Sequence, residues 1–320
     1  MNVKHLLTNF ITDTVINDAY MEQKVNCVKQ SLNINQRHRP ISLYDYQPSS
    51  TTTCVDYYSP LLITGSFAEG LSVPPMFGTK CRMDISDFDI IRVIPLLTCD
   101  LKPSCDKTTF LVDTRYTHSG YCHLIFDLNA TNIEDVKTVE SMTDQTLRSY
   151  PFANGAIIYC LPSSPLPQSW LSVIDCPTAE RHGPAQQINL QFITSGLKAI
   201  YSHDSVIALH CLSWPIQEWI ERQRSNDWPT AATIQDIVKR GCHVVPVAHA
   251  TSHNPNIEWR YSFSLAELIL ANEIPYYTRK TYIMFKLLCK KHLDNDFPLK
   301  TYYLKTILFW CCEEYSTLLV

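Results

Sequence analysis

The apolar pattern of the chain changes near residue 213, and this change constrains the fold more than any other feature. From about residue 60 to 210, short apolar runs alternate with turns, as in LLITG, DIIRVIPLL, CHLIFDL, AIIYCL and VIALHCL. Such runs are typical of strands. After SWP at 213–215, helical periodicity appears in IQEWIERQR, TAATIQDIVKRG, SLAELILANE, TRKTYIMFKLLCKKHL and LKTYYLKTILFWCCEEY. The sequence therefore predicts an α+β fold, with a mixed β-sheet lobe followed by a helical C-terminal lobe.

The N-terminal segment is predicted to add a long helix to the sheet lobe. Apolar residues recur at near-helical spacing over residues 1–33: Leu6, Phe10, Val15, Ile16, Tyr20, Val25 and Val28. A polar, proline-containing connector follows. We therefore predict one unit over residues 1–212, with the N-terminal helix and the sheet, and a helical unit over residues 213–320. Because the apolar helical pattern runs to the last residues, a continuation of the natural chain past Val320 stays open.

Charge and composition argue against a protein that coats nucleic acid. With 27 Lys and Arg against 31 Asp and Glu, the formal charge is −4, whereas phosphate binding relies on a surplus of basic residues. The start of the chain has early acids and no signal core, and no stretch approaches about 18 uninterrupted apolar residues. The 13 scattered cysteines, an odd count, favour reduced thiols over a disulfide framework. We expect a cytoplasmic protein with no membrane segment.

The cysteine-containing helices do not predict structural zinc. Cys289 and His292 form half of a candidate site, and Cys311 with Cys312 the other half. Adjacent cysteines rarely both bind one ion, and neither pair has the tight C-x-x-C spacing of zinc sites. Both pairs also lie in helical patterns, where buried thiols are common core residues. We therefore expect no structural zinc.

Two aspartates separated by one phenylalanine close the stretch ITGSFAEGLSVPPMFGTKCRMDISDFDII, residues 63–91. Residues i and i+2 of a strand point to the same face, so Asp87 and Asp89 project together while Phe88 turns away. Two close carboxylates repel each other unless a cation lies between them, and Mg²⁺ prefers carboxylate oxygens, waters and phosphates. Taken alone, however, the pattern is more often a solvated sheet face than a metal site.

A glycine-serine turn about twenty residues earlier shifts this balance towards a metal site. ITGSFAEGL reads as a strand, a turn and the start of a helix. Gly65 permits close approach to the backbone, Ser66 offers a hydroxyl, and the N–H groups at the helix start attract an anion. This order is similar to the nucleotidyltransferase fold, in which the turn holds the β- and γ-phosphates and the acids hold two metal ions.

Such a site needs a third acid from a neighbouring strand. The best candidate is Asp204 in YSHDSVIALHCLSWP, which lies just before an apolar run that reads as a central strand. Its alternative role is to cap the SHDS turn at the start of that strand.

A longer series of motifs resembles one known family. In chain order they are GSFAEGL with SDFDII, HGPA at 182–185, DSVIALHCLSWP, WPTAATIQDIVKRGCHVVPV, WRYSFSLAE and LKTYYLKTILFW. Together they resemble the male-abnormal 21 family, which includes the cyclic GMP–AMP synthase-like receptors, from about residue 60 to the end. The resemblance implies a bilobed nucleotidyltransferase fold with a long N-terminal helix, an acid-bearing mixed sheet and a helical lobe that closes over the substrate.

The resemblance also implies roles for individual residues. Asp87, Asp89 and Asp204 would be catalytic and hold two Mg²⁺ or Mn²⁺ ions, with ATP and GTP as the expected substrates. The implied nucleotide-binding residues are Gly65 and Ser66 in the turn, Arg260 with the neighbouring Ser262 and Ser264, Glu267, Lys286, Thr301 and Tyr302. Arg260 would reach a base, Lys286 and Thr301 would contact phosphate, and Tyr302 would stack on a base. Their alternatives are a surface ion pair for Arg260, a solvated helix face for Lys286 and a core position for Tyr302.

Two departures from the family concern the activating ligand. The vertebrate cyclic GMP–AMP synthase has a His/Cys zinc loop after its SFS helix, whereas the corresponding interval here is LILANEIPYYTRK, without His or Cys. Only about sixty residues precede Gly65, and they contain no dense basic tract. Double-stranded DNA is therefore not expected as an activator. RNA stays open through a short basic patch, although such side chains are more often solvated: Arg279, Lys280, Lys290, Lys291 and Lys300.

Three functions follow, and the sequence favours the first. The first is a metal-dependent nucleotidyltransferase that makes a cyclic or linear dinucleotide on detecting a ligand. The second is a catalytically silent nucleotide-binding or scaffold protein of the same fold; the complete set of three acids argues against it. The third is a nucleotidyltransferase acting on RNA ends, which would need a basic channel with interleaved aromatic residues that the sequence does not display.

Overall fold

The computed structural model describes the strands and helices of most of the chain. The described residues are 22, 25–26, 61–73, 82–84, 88–102, 109–126, 137, 139–140, 143, 147–151, 157–164, 166, 170, 180–182, 185–194, 197–292 and 300–315. Of the predicted N-terminal helix, Glu22, Val25 and Asn26 are helical. The rest of residues 1–33 lies outside the described residues, so the long helix stays a prediction.

Twelve strands of the described residues form one mixed sheet. They are β1 (Leu61–Thr64), β2 (Arg82–Asp84), β3 (Phe88–Asp100), β4 (Phe110–Asp113), β5 (Tyr121–Phe126), β6 (Arg148–Pro151), β7 (Ile157–Cys160), β8 (Glu180–His182), β9 (Ala185–Thr194), β10 (Leu197–Cys211), β11 (Cys242–Val245) and β12 (Glu258–Ser262). The five apolar runs that predict strands coincide with β1, β3, β5, β7 and β10, which confirms the strand predictions for this half of the chain.

The order of the strands brings distant parts of the chain together. The main path is β1-β3-β4-β5-β12-β11-β10-β9-β8, and β3 also pairs with β10, so six of these strands form a closed ring of pairings. Strands β3 and β10 are parallel and carry the longest apolar runs, as expected for central strands that are buried on both faces. A core inside this ring contains Leu97, Phe110, Leu124, Leu209 and Trp259.

Helices pack against the face of the sheet that lies outside this ring. In the described residues they are α1 (Gly65–Ala68), α2 (Gln217–Glu221), α3 (Ala231–Arg240), α4 (Ser264–Asn272), α5 (Tyr276–His292) and α6 (Thr301–Glu314). The five helical segments predicted after residue 213 coincide with α2 to α6. The four helices α3, α4, α5 and α6 share one hydrophobic core. In a smaller core, Leu265 of α4 packs against apolar residues of the sheet, which are Leu62, Ile91, Val93, Ala208 and Val245. Within the parts of the chain that the structure covers, no helix has both the length and the apolar character needed to cross a membrane.

Helix α3 shows how the sequence sets the ends of these helices. The hydroxyl of its N-cap residue Thr230 accepts a hydrogen bond from the backbone N–H of Thr233, at 3.2 Å. Gly241 ends the helix with φ +66°, and a Cβ at this position would lie 2.1 Å from the carbonyl oxygen of Cys211. Only glycine fits this close approach to β10, so the helix ends where the sequence predicts.

Strands β11 and β12 depart from the prediction that only helices follow residue 213. They pair with each other, and with β10 and β5 respectively. Residues 242–245 are all buried, so this strand has no alternation of polar and apolar residues to read in the sequence. The mixed α+β class is nevertheless as predicted, whereas the division at residue 212 and the two-lobed arrangement stay predictions.

Candidate functional site

The turn between β1 and α1 brings the backbone of Gly65 against the side chain of Asp89. Gly65 has φ +79°, and a Cβ at this position would lie 1.7 Å from Asp89 Oδ2. The hydroxyl of Thr64 donates a hydrogen bond to the backbone oxygen of Asp89, at 3.2 Å. The antiparallel pairing of β1 with β3 aligns these residues, because Thr64 is the partner of Asp89 in the ladder. The turn therefore requires glycine for close contact with an acid.

Asp89 and Asp204 lie side by side on the parallel strands β3 and β10. The two residues are direct partners in the ladder, and so are Ile91 and Val206 two positions further on. Paired residues of adjacent strands project to the same face, so both carboxylates belong to the face that carries Gly65. Asp87 lies outside the described residues, and its predicted position beside Asp89 stays a prediction.

The carboxylate of Asp204 has an oxygen without a hydrogen-bond partner in the described structure. Its Oδ1 is buried and accepts no hydrogen bond within the described structure. A buried carboxylate oxygen without a partner costs free energy, which a bound cation would offset. Among the described residues there is no ready-made group of three or more His, Cys, Asp or Glu side chains for a metal ion. Two of the three predicted ligands are described, so this part of the structure supplies a pair of acids.

A cavity of about 660 Å³ opens beside these acids. Eight of the predicted site residues line it: Gly65, Asp89, Asp204, Arg260, Ser262, Ser264, Glu267 and Tyr302. They come from α1, β3, β10, β12, α4 and α6, so the sheet and the helices both contribute walls. The volume falls within the roughly 300–1,000 Å³ of typical small-molecule sites. The arrangement thus combines acidic, hydroxyl, guanidinium and aromatic groups around one space.

The side chains at the cavity mouth are accessible. Arg260 is exposed on β12, and the ring of Tyr302 at the start of α6 is 60% exposed. The hydroxyls of Ser262 and Ser264 lie 3.1 Å apart and form a hydrogen bond. Tyr302 is therefore not a core residue, which removes the alternative considered for it from the sequence.

Three predicted phosphate-binding residues do not line the cavity: Ser66, Lys286 and Thr301. Lys286 is buried, and its Nζ donates hydrogen bonds to Ser66 Oγ at 3.0 Å and to the carbonyl oxygen of Leu71 at 3.4 Å. The two residues thus contact each other across the base of the turn, and Lys286 does not belong to a solvated helix face. Thr301 is exposed at the start of α6.

An ion-pair network that includes the buried Glu69, and that the sequence interpretation missed, joins the turn to the helices. Lys305 Nζ lies 2.8 Å from Glu69 Oε1 and 2.6 Å from Glu267 Oε2, and Lys305 lines the cavity. Burial lowers the pKa of Lys305, but the two carboxylates outweigh this effect and leave the pKa above its usual value. Burial raises the pKa of Glu69, and Lys305 offsets part of this shift. The signal in the sequence is the spacing of Lys305, three residues after Tyr302 and so on the same helix face.

The basic patch proposed for RNA loses one of its members. Arg279 is 1% exposed and donates hydrogen bonds to the carbonyl oxygens of Glu69 and Ala271, so it cannot belong to a surface patch. Burial lowers its pKa to about 10. The side chains of Lys290 and Lys291 lie outside the described residues, and Lys300 is exposed. Arg279 instead ties helix α5 to the segment that follows α1.

Comparison with known families finds a match for the central part of the chain. Residues 169–272 match the family model described as the Mab-21 protein nucleotidyltransferase domain. This segment contains β10 with Asp204, β12 with Arg260, and α4 with Glu267. Gly65 and Asp89, which pack against the same cavity, precede the matched segment. Over residues 169–272, the chain is therefore similar to the Mab-21 nucleotidyltransferase domain.

Proposed function

We propose that this chain is a nucleotidyltransferase that joins nucleoside triphosphates, with ATP and GTP as the expected substrates, into a cyclic or linear dinucleotide. The observation that carries the proposal is the direct pairing of Asp89 with Asp204 on parallel strands, against the glycine of the β1–α1 turn. Acids and a phosphate-binding turn in this arrangement can act on the same triphosphate, where negative charge develops during nucleotidyl transfer.

The residues at this position fit divalent cations. The buried Asp204 Oδ1, which has no hydrogen-bond partner among the described residues, supports this fit. Asp87, Asp89 and Asp204 would hold two Mg²⁺ or Mn²⁺ ions, which supply Lewis-acid stabilisation of the pyrophosphate leaving group and activate a ribose hydroxyl. A carboxylate oxygen of Asp204 would accept the proton of that hydroxyl. Most of the rate enhancement would come from positioning and electrostatics.

The remaining cavity residues suit two nucleotides. The exposed ring of Tyr302 offers a stacking face, and the guanidinium of Arg260 offers several donors to a base or phosphate. The hydroxyls of Ser262 and Ser264 add hydrogen bonds beside Arg260. Lys305 presents a cation that Glu69 and Glu267 already hold in place, so it is positioned before any nucleotide enters.

We further propose that the product is a second messenger made in the cytoplasm when the protein detects a ligand. The resemblance to cyclic GMP–AMP synthase-like receptors supports this step, and with it a role in innate immunity. RNA is one candidate activator. Double-stranded DNA is not expected, because the interval LILANEIPYYTRK contains no His/Cys zinc loop.

Product analysis tests the proposal. The purified chain is incubated with the four labelled ribonucleoside triphosphates and Mg²⁺ or Mn²⁺, with and without double-stranded RNA or DNA. Asp204→Asn removes one proposed metal ligand, and Asp236→Asn is the matched control, because Asp236 pairs with Arg240 on α3 outside the cavity. A dinucleotide formed by the wild type and by Asp236→Asn, but not by Asp204→Asn, is the expected result.

A catalytically silent nucleotide-binding protein is the second candidate. One observation favours it: both lysines nearest the turn contact groups of the protein, Lys286 with Ser66 and Lys305 with Glu69 and Glu267. Nucleotide protection against thermal unfolding, measured on the same samples, separates the candidates. Protection that depends on Asp204, without product under any activator, would favour the silent protein. Neither product nor protection would contradict the proposed site.

A further inference from the structure

A cluster of histidines lies behind one wall of the cavity. The rings of His118 and His249 stack with their centroids 3.8 Å apart and an interplanar angle of 18°. Glu258, which is 1% exposed, contacts both turns that carry them. Its Oε1 lies 3.9 Å from His118 Nδ1, and its Oε2 accepts a hydrogen bond from the backbone N–H of His249 at 2.6 Å. One buried carboxylate thus joins the turn near residue 118 to the turn near residue 249.

The hydrogen bonds in this cluster have a defined direction. The backbone N–H of Thr251 donates to His249 Nδ1 at 3.2 Å, so this nitrogen carries no proton and the neutral ring is protonated on Nε2. The hydroxyl of Thr251 lies 2.9 Å from the same nitrogen and must donate to it. The same hydroxyl oxygen lies 3.1 Å from His118 Nε2, so it accepts a hydrogen bond from that nitrogen. Donation therefore runs from His118 through Thr251 to His249.

This direction determines which form of His118 the cluster stabilises. Because Nε2 donates to Thr251, Nδ1 can interact favourably with the carboxylate of Glu258 only if it carries a proton as well. The imidazolium form of His118 satisfies both partners, whereas the neutral ring satisfies one of them. The cluster is thus complete only when His118 is protonated.

Among the described residues, further titratable groups face the cluster from the sheet and from the turn at 118–121. The ring of Tyr121 contacts His249 edge-on, with centroids 5.3 Å apart. On the sheet side, Glu258 is paired with His123, which is paired in turn with Asp113. Arg115 Nε binds Asp113 at 2.9 Å. Burial lowers the pKa of His123, which disfavours a second positive charge beside His118.

His118 is also the first residue of a turn that forms part of the cavity wall. Its carbonyl oxygen accepts a hydrogen bond from the backbone N–H of Tyr121 at 3.0 Å, and Gly120 has φ +84° at the third position. Ser119, Gly120 and Tyr121 line the cavity. A displacement of His118 therefore moves this wall.

We propose that His118, Thr251, His249 and Glu258 form a protonation-dependent clasp that positions the cavity wall at residues 119–121. When His118 is protonated, the two turns are held together through Glu258 and Thr251. When His118 loses a proton, one of these two contacts is lost and the turn at 118–121 loosens. His118 and Glu258 are positioning residues in this proposal, which concerns local structure and does not depend on the proposed function.

Hydrogen exchange of the full chain tests the clasp. Exchange is followed by mass spectrometry at about pH 5.5 and about pH 8, on either side of the range in which histidines titrate. After correction for intrinsic exchange rates, peptides that contain residues 118–121 should exchange about two- to fivefold faster at the higher pH, as expected when a partly exposed ion pair is lost. Equal protection of the wild type at both pH values would overturn the proposal.

Two variants and a second measurement keep the test specific. His118→Gln retains an N–H donor near Thr251 but cannot be protonated, so its protection should be the same at both pH values. His253→Gln alters an exposed histidine of the same segment and should behave like the wild type. Nitrogen-15 NMR of the wild-type imidazoles is assigned with His249→Gln. At the higher pH, it should find the proton of the His249 ring on Nε2 and not on Nδ1. A proton on His249 Nδ1 at that pH would contradict the hydrogen-bond direction on which the clasp depends.

Discussion

The substitution Gly65→Ala tests the contact between the turn and the acid pair. With φ +79°, an alanine at this position is strained by about 1–2 kcal/mol relative to glycine. Its Cβ would also lie 1.7 Å from Asp89 Oδ2 and 2.7 Å from Asp89 Cγ, so the carboxylate must move, at a cost of about 1–3 kcal/mol for overpacking. We expect the free energy of unfolding to fall by about 2–5 kcal/mol, measured by urea denaturation.

Gly120→Ala is the matched control for this substitution. Gly120 has φ +84°, but a Cβ there meets no atom within 4 Å, so only the backbone strain of about 1–2 kcal/mol applies. In an Asp89→Ala background, which removes the clashing Oδ2 and Cγ atoms, the cost of Gly65→Ala should fall to nearly that of Gly120→Ala. Equal costs for the two glycines in the wild-type background would refute the close packing of Asp89 against the turn.

Three further changes test the ion pair of the buried Glu69 and the proposed stacking role of Tyr302. Lys305→Met leaves the fully buried Glu69 without its cation and should lower the free energy of unfolding by about 3–5 kcal/mol in urea denaturation. Burial raises the pKa of Glu69 above its usual 4.5, so the folded state binds more protons than the unfolded chain above that pH. The free energy of unfolding of the wild type should therefore contain a contribution that decreases as pH rises. Glu69→Gln should abolish this contribution in the same assay. Tyr302→Ala should weaken nucleotide binding by about 1–3 kcal/mol in calorimetry, whereas Tyr303→Ala, at a similarly exposed ring outside the cavity, should not.

Local pattern predicts most of the individual elements of this fold. The apolar runs of β3 and β10 and the helical periodicity of α3 to α6 are properties of short segments, so they can be read directly from the sequence. The pairing of β12 with β5 joins residues more than 130 positions apart, as in the partnership of Trp259 with Cys122. Such pairing depends on the packing of the whole sheet, and no local pattern encodes it. For the same reason, β11 and β12 are absent from the sequence-based prediction.

The candidate site, like the fold, is predictable in part from local pattern and in part depends on tertiary packing. Residue type and spacing identify the turn at Gly65 and the acids Asp89 and Asp204 as candidates, but their adjacency depends on the register of β3 with β1 and with β10. Tertiary packing decides whether a basic side chain lies at the surface or in the interior of the protein. Lys286 and Arg279 read as ordinary positions on a helix, yet both are buried against the segment at residues 66–71. Periodicity alone cannot distinguish a solvated helix face from one covered by a distant turn.

Binding of Mn²⁺ tests the proposed site without any activating ligand. Mn²⁺ is titrated into the protein in the presence of a non-hydrolysable nucleoside triphosphate, and free Mn²⁺ is followed by electron paramagnetic resonance. We predict saturable binding of two ions by the wild type and by Asp236→Asn, and loss of this binding in Asp89→Asn and Asp204→Asn. Equal Mn²⁺ binding by all four proteins would contradict a metal site at the paired aspartates and, with it, the proposed nucleotidyltransferase.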